Sequence, residues 1–107
     1  MSDELGLLGC PLTTETAFPL YLQCRNGSGT ATAPDSTPAF AIYAPDGTSV
    51  KTGSLGASDH DSKTGLRRAT TDLTSWSAVS ANTDYTVVFT YAISSAAKTA
   101  KGVIQTR

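Results

Sequence analysis

The sequence predicts a single all-β domain built as a sandwich, and three observations carry that reading. The chain has 107 residues, enough for one hydrophobic core and too few for two. Only 16% of it is charged, and the polar remainder is largely Thr, Ser, Ala and Gly. β-Branched Thr and Val suit a pleat, whereas the strong helix formers Glu, Lys and Leu are comparatively scarce. Short stretches of period-two alternation, separated by turn-forming residues, run through most of the chain.

Residues 1–16 read as an extended N-terminal arm and residues 17–107 as the sandwich. Gly6, Gly9 and Pro11 interrupt any regular element in the arm, yet Leu5, Leu7, Leu8 and Leu12 are too apolar to leave in water without cost. Such a segment is expected to lie on a surface, its own domain's or a neighbouring subunit's. Its deletion is expected to leave a folded sandwich that no longer assembles.

The first strand falls over 17–25, where Phe18, Leu20, Leu22 and Cys24 alternate with Pro19, Tyr21, Gln23 and Arg25 and so name an inward face. Asn26-Gly27-Ser28-Gly29 is a turn, and 33–38 is polar and punctuated by Pro34 and Pro38. A short strand over 39–44 places Phe40 and Ile42 on one face. Pro45-Asp46-Gly47 then reverses the chain into a strand over 48–55, because proline presets the first corner and glycine takes the positive φ of the second. Residues 56–64 are small, polar or charged and form a loop, followed by a strand over 65–71 carrying Leu66. Leu73, Trp76 and Val79 sit at roughly helical spacing, which fits one turn of helix or a crossover between sheets, with Trp76 in the core. The most regular strand covers 84–93: Tyr85, Val87, Phe89, Tyr91 and Ile93 alternate with Thr86, Val88, Thr90 and Ala92. A reversal at 94–97 leads to a last strand over 98–105.

The segment Ala81-Asn82-Thr83-Asp84-Tyr85-Thr86-Val87-Val88-Phe89, preceded by Leu73, resembles the penultimate-strand region of fibronectin type III and other immunoglobulin-like domains. In that comparison Tyr85 resembles the corner tyrosine, whose hydroxyl ties the preceding connection to the sheet. The resemblance implies an immunoglobulin-like antiparallel β-sandwich. Ala39 to Thr48, with its Pro45-Asp46-Gly47 hairpin, and Asp61-Ser62-Lys63-Thr64-Gly65-Leu66 together resemble immunoglobulin-like modules of tailed-phage particles, over roughly residues 18–105. Hairpins of this kind also occur in bacterial adhesins.

Charge and chemistry narrow the function classes. Eight basic and nine acidic residues give a formal net charge of −1, and Arg67-Arg68 alone is too little for a nucleic-acid surface. No stretch approaches the ~20 apolar residues of a membrane span, and the N-terminal Met-Ser-Asp-Glu carries acids where a secretory signal carries Lys or Arg. Cys10 and Cys24 could form a disulfide in an oxidising setting, but are expected as two free thiols, one of them packed as a small hydrophobe. His60 is the single histidine and the only candidate general base, flanked by Asp59 and Asp61 in a polar loop that would hold a nucleophile poorly. The same three residues could offer oxygen ligands to a divalent cation, but the glycine and the bidentate glutamate of a dedicated calcium loop are missing. No catalytic, cofactor or metal residues are assigned.

What remains is a protein that works by fitting. The expected function is a non-enzymatic structural protein of a tailed-phage virion, made in the host cytoplasm, a tail, neck or capsid-surface component. Its expected partners are copies of itself and other virion proteins, with neither nucleic acid nor membrane. The expected contacts are Leu5, Leu7, Leu8 and Leu12 of the arm together with Tyr21 and Tyr43, which alternate away from the apolar faces of their strands. The rival readings are a bacterial adhesive or carbohydrate-binding module, for which Tyr21 and Tyr43 would supply platforms, and a small accessory domain of an enzyme.

Overall fold

A computed structural model describes residues 2–107, with side chains from Glu4 onward; residue 1 of the expected arm lies outside the described residues. Seven strands form two sheets: β1 (Ser2–Gly9), β2 (Phe18–Gln23), β3 (Ala39–Tyr43), β4 (Ser49–Ser54), β5 (Leu66–Thr71), β6 (Asp84–Ile93) and β7 (Ala96–Gln105). Five of them pair in the order β1-β7-β6-β3-β4, and β2 pairs with β5 in a second sheet. The two sheets face each other across one core, as a β-sandwich.

The alternation sets the core directly. Leu20 and Leu22 of β2 meet Phe40 and Ile42 of β3, Tyr85, Val87, Phe89, Tyr91 and Ile93 of β6, and Ala100 and Ile104 of β7, all buried. Large side chains from this set contribute about 1.5–3 kcal/mol each when fully buried. Cys24, just past β2, is wholly buried beside them.

The loosely patterned stretch after β5 is both things the spacing allows. A single 3₁₀ turn (Leu73–Ser75), in which the Asp72 carboxylate accepts the Thr74 N–H, carries the chain from the small sheet to the large one. Leu73 and Trp76 are buried there; the Trp76 indole N–H donates to Thr71 Oγ1 at 2.9 Å, and its ring meets Tyr85 edge-on at 5.1 Å. The Tyr85 hydroxyl accepts the Ser80 N–H at 2.8 Å, and the buried Thr106 hydroxyl donates to Ser80 O at 2.6 Å. The connection is thus tied to the start of β6 and to the chain's C-terminal end.

Two expectations are corrected. Gly6, Gly9 and Pro11 do not keep the N-terminal segment free of regular structure: residues 2–9 form β1, which pairs in parallel with β7 as an edge of the five-stranded sheet, so that sheet is mixed rather than antiparallel. The physical reason is that glycine at an edge makes a bulge rather than a break. The register slips between Glu4 and Gly6 and again between Leu7 and Gly9, while Pro11, with no N–H to give, lies beyond the strand. β5 gives two of its inward positions to polar side chains. Leu66 is only half-buried, and Arg67 and Thr71 take the buried positions.

The β6–β7 hairpin closes on two residues, Ser94 and Ser95, both at positive φ (49° and 67°). That is the mirror-image turn that matches strand twist, here without the usual asparagine and glycine. Asp35 makes it possible. Its carboxylate oxygens accept the N–H groups of Ser94 (2.9 Å) and Ser95 (2.7 Å), while its own N–H donates to Ala92 O.

Candidate functional site

The six residues expected to make contacts fall in three places. Leu5, Leu7 and Leu12 are 40%, 59% and 52% exposed, and Tyr21 is 46% exposed; these are the large hydrophobic side chains left in solvent among the described residues. Leu8 behaves differently, because the second bulge turns it into the domain, where it packs on the core and fills the space above Gly102. Tyr43 is half-buried on the outer face of the large sheet.

Leu7 and Tyr43 share a register row. Leu7 pairs with Val103, Val103 with Thr86, and Thr86 with Tyr43, so the four residues cross β1, β7, β6 and β3 in one line. Their neighbours Ile42, Val87 and Ile104 are buried, which places the line on the outer face. The next row runs Glu4, Lys101, Val88, Ala41 and Thr52, and shallow grooves lie on this face around Ala41 and around Gly6. Alanine, threonine and valine dominate it, with Glu4 and Lys101 as adjacent opposite charges.

Tyr21 is on the other sheet, opposite Arg68 in the β2–β5 register. Arg68 Nε donates to the Tyr21 hydroxyl at 3.1 Å, and its guanidinium carbon lies 5.7 Å from the ring centre. His60 comes from the 56–65 loop to the same ring, with the centroids 5.6 Å apart and the planes tilted by 60°. Three elements thus bring an aromatic ring, a guanidinium and an imidazole to one outward surface.

The loop that delivers His60 is held from beneath by Arg67. Arg67 is 7% exposed as a residue; its Nε donates to Asp59 Oδ1 at 3.3 Å and its Nη1 to Gly56 O at 3.0 Å, while Asp59 also accepts the Gly65 N–H. The Asp59-His60-Asp61 sequence is therefore divided by the fold: Asp59 turns inward to Arg67, His60 turns to Tyr21, and Asp61 stays in solvent with an oxygen 3.6 Å from His60 Nε2. No group of three or more metal-ligating side chains converges among the described residues.

Three further acids have structural partners close by. Asp46 accepts the Thr48 N–H in the β3–β4 turn, and that bond holds its carboxyl below the usual range. Asp72 caps its 3₁₀ turn and Asp35 holds the β6–β7 turn. Both cysteines are free thiols: Cys10 is half-buried, and burial pushes the Cys24 thiol up to about 11. At neutral pH Cys24 is a protonated, inert packing group.

Arg67, Arg68 and Asp35 were not singled out as individual positions by the sequence pattern. The Arg67-Arg68 pair reads as a surface doublet until strand alternation is applied through it, when one arginine must face in and the other out. Asp35 gives no such signal, since it meets Ser94 from 59 positions away. No family model matches the chain, and no curated protein or solved structure is significantly similar to it.

Proposed function

We propose that this chain is a non-enzymatic structural module of a tailed-phage virion, a tail, neck or capsid-surface part that works by docking onto copies of itself and other virion proteins. The observation that carries the reading is the distribution of exposed apolar side chains. Leu5, Leu7 and Leu12 cluster in the first twelve residues, on an edge strand and the connection that follows it, where their apolar surface gains from a neighbour. Asp46, Asp59 and Asp35 are engaged in turns and in the Arg67 latch. The likeness of the Pro45-Asp46-Gly47 hairpin and the Asp61 to Leu66 segment to phage modules supplies the class of particle. The strand order, and the bond from Ser80 to the Tyr85 hydroxyl, support reading the sandwich as immunoglobulin-like. Mass spectrometry of purified particles tests the proposal: the chain is expected as a repeated constituent that survives salt washing. Its confinement to the soluble lysate would overturn the proposal.

A second reading has a specific observation in its favour. Tyr21, Arg68 and His60 form an exposed aromatic and cationic surface of the kind that stacks on a sugar ring and donates to its hydroxyls. A glycan array separates the two readings. Reproducible binding by the monomer that is lost in Tyr21→Ala favours an adhesive or carbohydrate-binding module.

A further inference from the structure

We propose that the cleft between Arg25 and Lys98 is a binding site for a phosphate monoester. This goes beyond the assembly reading above and does not depend on it. The cleft encloses about 350 Å³, at the lower end of the roughly 300–1,000 Å³ of small-molecule sites. Arg25, Asn26 and Gly29, from the turn that follows β2, line one wall, and Ala97 and Lys98 of β7 line the other. Lys98 stands opposite Tyr91 and continues the row of Ala100 and Ile104, so it occupies the inward face of its strand. A half-buried lysine at such a position is ordinarily paired with an acid.

Here no acid answers it. Among the described residues the ion pairs join His60 to Asp61 and Arg67 to Asp59, and no carboxylate lines the cleft. Asp35, at the adjoining β6–β7 turn, gives both carboxylate oxygens to the Ser94 and Ser95 amides. Two cations therefore share one concave site without a counter-charge, and an anion is the ligand that their field favours. A phosphate monoester brings a charge of about −1.5 to −2 at neutral pH and three acceptor oxygens, enough for both side chains at once. The guanidinium fork takes two of those oxygens side by side, and the ammonium takes the third as a point charge.

The arginine is already placed for this. Its Nη1 donates to Gly29 O at 3.0 Å, and its backbone N–H donates to the Tyr91 hydroxyl at 3.4 Å, which ties the turn to β6. Asn26 Oδ1 accepts the N–H groups of Ser28 (2.9 Å) and Thr30 (3.0 Å), so the turn holds its shape from within. Gly29, at a φ of +81°, has nothing within 4 Å of the place a Cβ would occupy and leaves the cleft room for a ligand oxygen.

Amide NMR of the full chain tests the site, with inorganic phosphate, a hexose phosphate and the unphosphorylated hexose titrated separately at constant ionic strength. The hexose phosphate is expected to give saturable shifts confined to residues 25–29 and 97–99, with a Kd on the order of 1 mM. Inorganic phosphate should bind the same residues more weakly, because it leaves the rest of the cleft empty, and the bare hexose should not bind there. Arg25→Gln and Lys98→Gln should each weaken binding about tenfold while the rest of the spectrum shows an intact fold. Shifts that do not saturate, that spread over the lysines of the whole surface, or that persist unchanged in both variants overturn the site. Tighter binding of inorganic phosphate than of the ester overturns the monoester assignment. Shifts centred on Tyr21, His60 and Arg68 instead would put the ligand on the other surface and overturn this one.

Discussion

Leu8 of β1 lies over Gly102 of β7 so closely that a Cβ on the glycine would stand 2.7 Å from Leu8 Cγ. Gly102 faces the core opposite Val87, and the leucine fills the space its missing side chain leaves. The N-terminal strand is therefore keyed into the domain by one side chain, while its neighbours Leu5 and Leu7 face outward. Gly102→Ala must displace Leu8, at an expected cost of about 1–3 kcal/mol. Leu8→Ala removes a half-buried side chain, at about 1–2 kcal/mol. The two changes should be less than additive in urea denaturation, because the alanine methyl occupies space the leucine vacates. Strict additivity would mean that the contact does not exist in solution. It also follows that point changes at Leu5 and Leu7 are cleaner probes of assembly than deletion of residues 1–16, which would uncover both β7 and Gly102.

Much of this fold was legible because period-two alternation reports burial wherever one strand face is wet and the other dry. Tyr85 to Ile93 shows this most clearly, since every second residue is apolar and every one of those is buried. The pattern failed where its premise fails. β1 has no alternation because its bulges shift the register twice within eight residues, so Leu7 faces out and Leu8 in. Arg67 escaped the pattern because a charged residue took the inner position, stabilised by Asp59 eight residues earlier and by the Gly56 carbonyl. The contact residues were legible as apolar side chains without a core position. The Tyr21 surface was half legible: the outward ring followed from alternation, but Arg68 and His60 reach it by pairing and by a loop, which one strand's sequence does not encode.

The Arg67–Asp59 pair should decide the loop that carries His60. Asp59→Ala leaves a nearly buried guanidinium with the Gly56 carbonyl and no counter-charge, and removes the acceptor for the Gly65 N–H. Loss of a partner from a fully buried pair costs about 3–5 kcal/mol, and about 2 kcal/mol is expected here because the Asp59 side chain keeps 33% exposure. Arg67→Met, which replaces the charge with an apolar chain of similar length, should cost less. Thermal unfolding of the two variants reads the order. A milder effect from Asp59→Ala than from Arg67→Met would show that the arginine acts through packing alone.

The Ser94-Ser95 turn should respond in both directions. Serine at positive φ is strained, whereas asparagine followed by glycine suits the same turn, so the double change Ser94→Asn with Ser95→Gly is expected to stabilise by about 0.5–1 kcal/mol. Asp35→Ala removes the acceptor of both serine amides and should destabilise by about 1–2 kcal/mol. The loss should be smaller in the doubly substituted background, where the turn holds its shape unaided. Denaturant midpoints of the parent chain and the three variants give the answer, and an equal loss in both backgrounds would mean that Asp35 does not act through the turn.

Cys24 gives the fold an alkaline limit. Its thiol would ionise near the ordinary value of 9.0 in the unfolded chain, but in the folded domain burial holds the proton to about 11; the Arg67 cation opposes that shift and Asp59 adds to it. Between those two values the unfolded state binds fewer protons than the native state, so stability falls as pH rises, and below 9.0 it is unaffected. Two pH units at about 1.4 kcal/mol each give a loss of about 2–3 kcal/mol from this group by the upper end of the window. The comparison is between Cys10→Ser and Cys10→Ser with Cys24→Ala, which differ at position 24 alone, each unfolded in urea at steps from about pH 8 to about pH 11. The chain that keeps Cys24 should lose its advantage over the alanine variant steadily across that window. In the same samples below the window, a thiol reagent should find Cys24 unreactive until urea is added. An advantage that stays constant to the top of the range, or a thiol that reacts in the folded protein, would show that water reaches the sulfur.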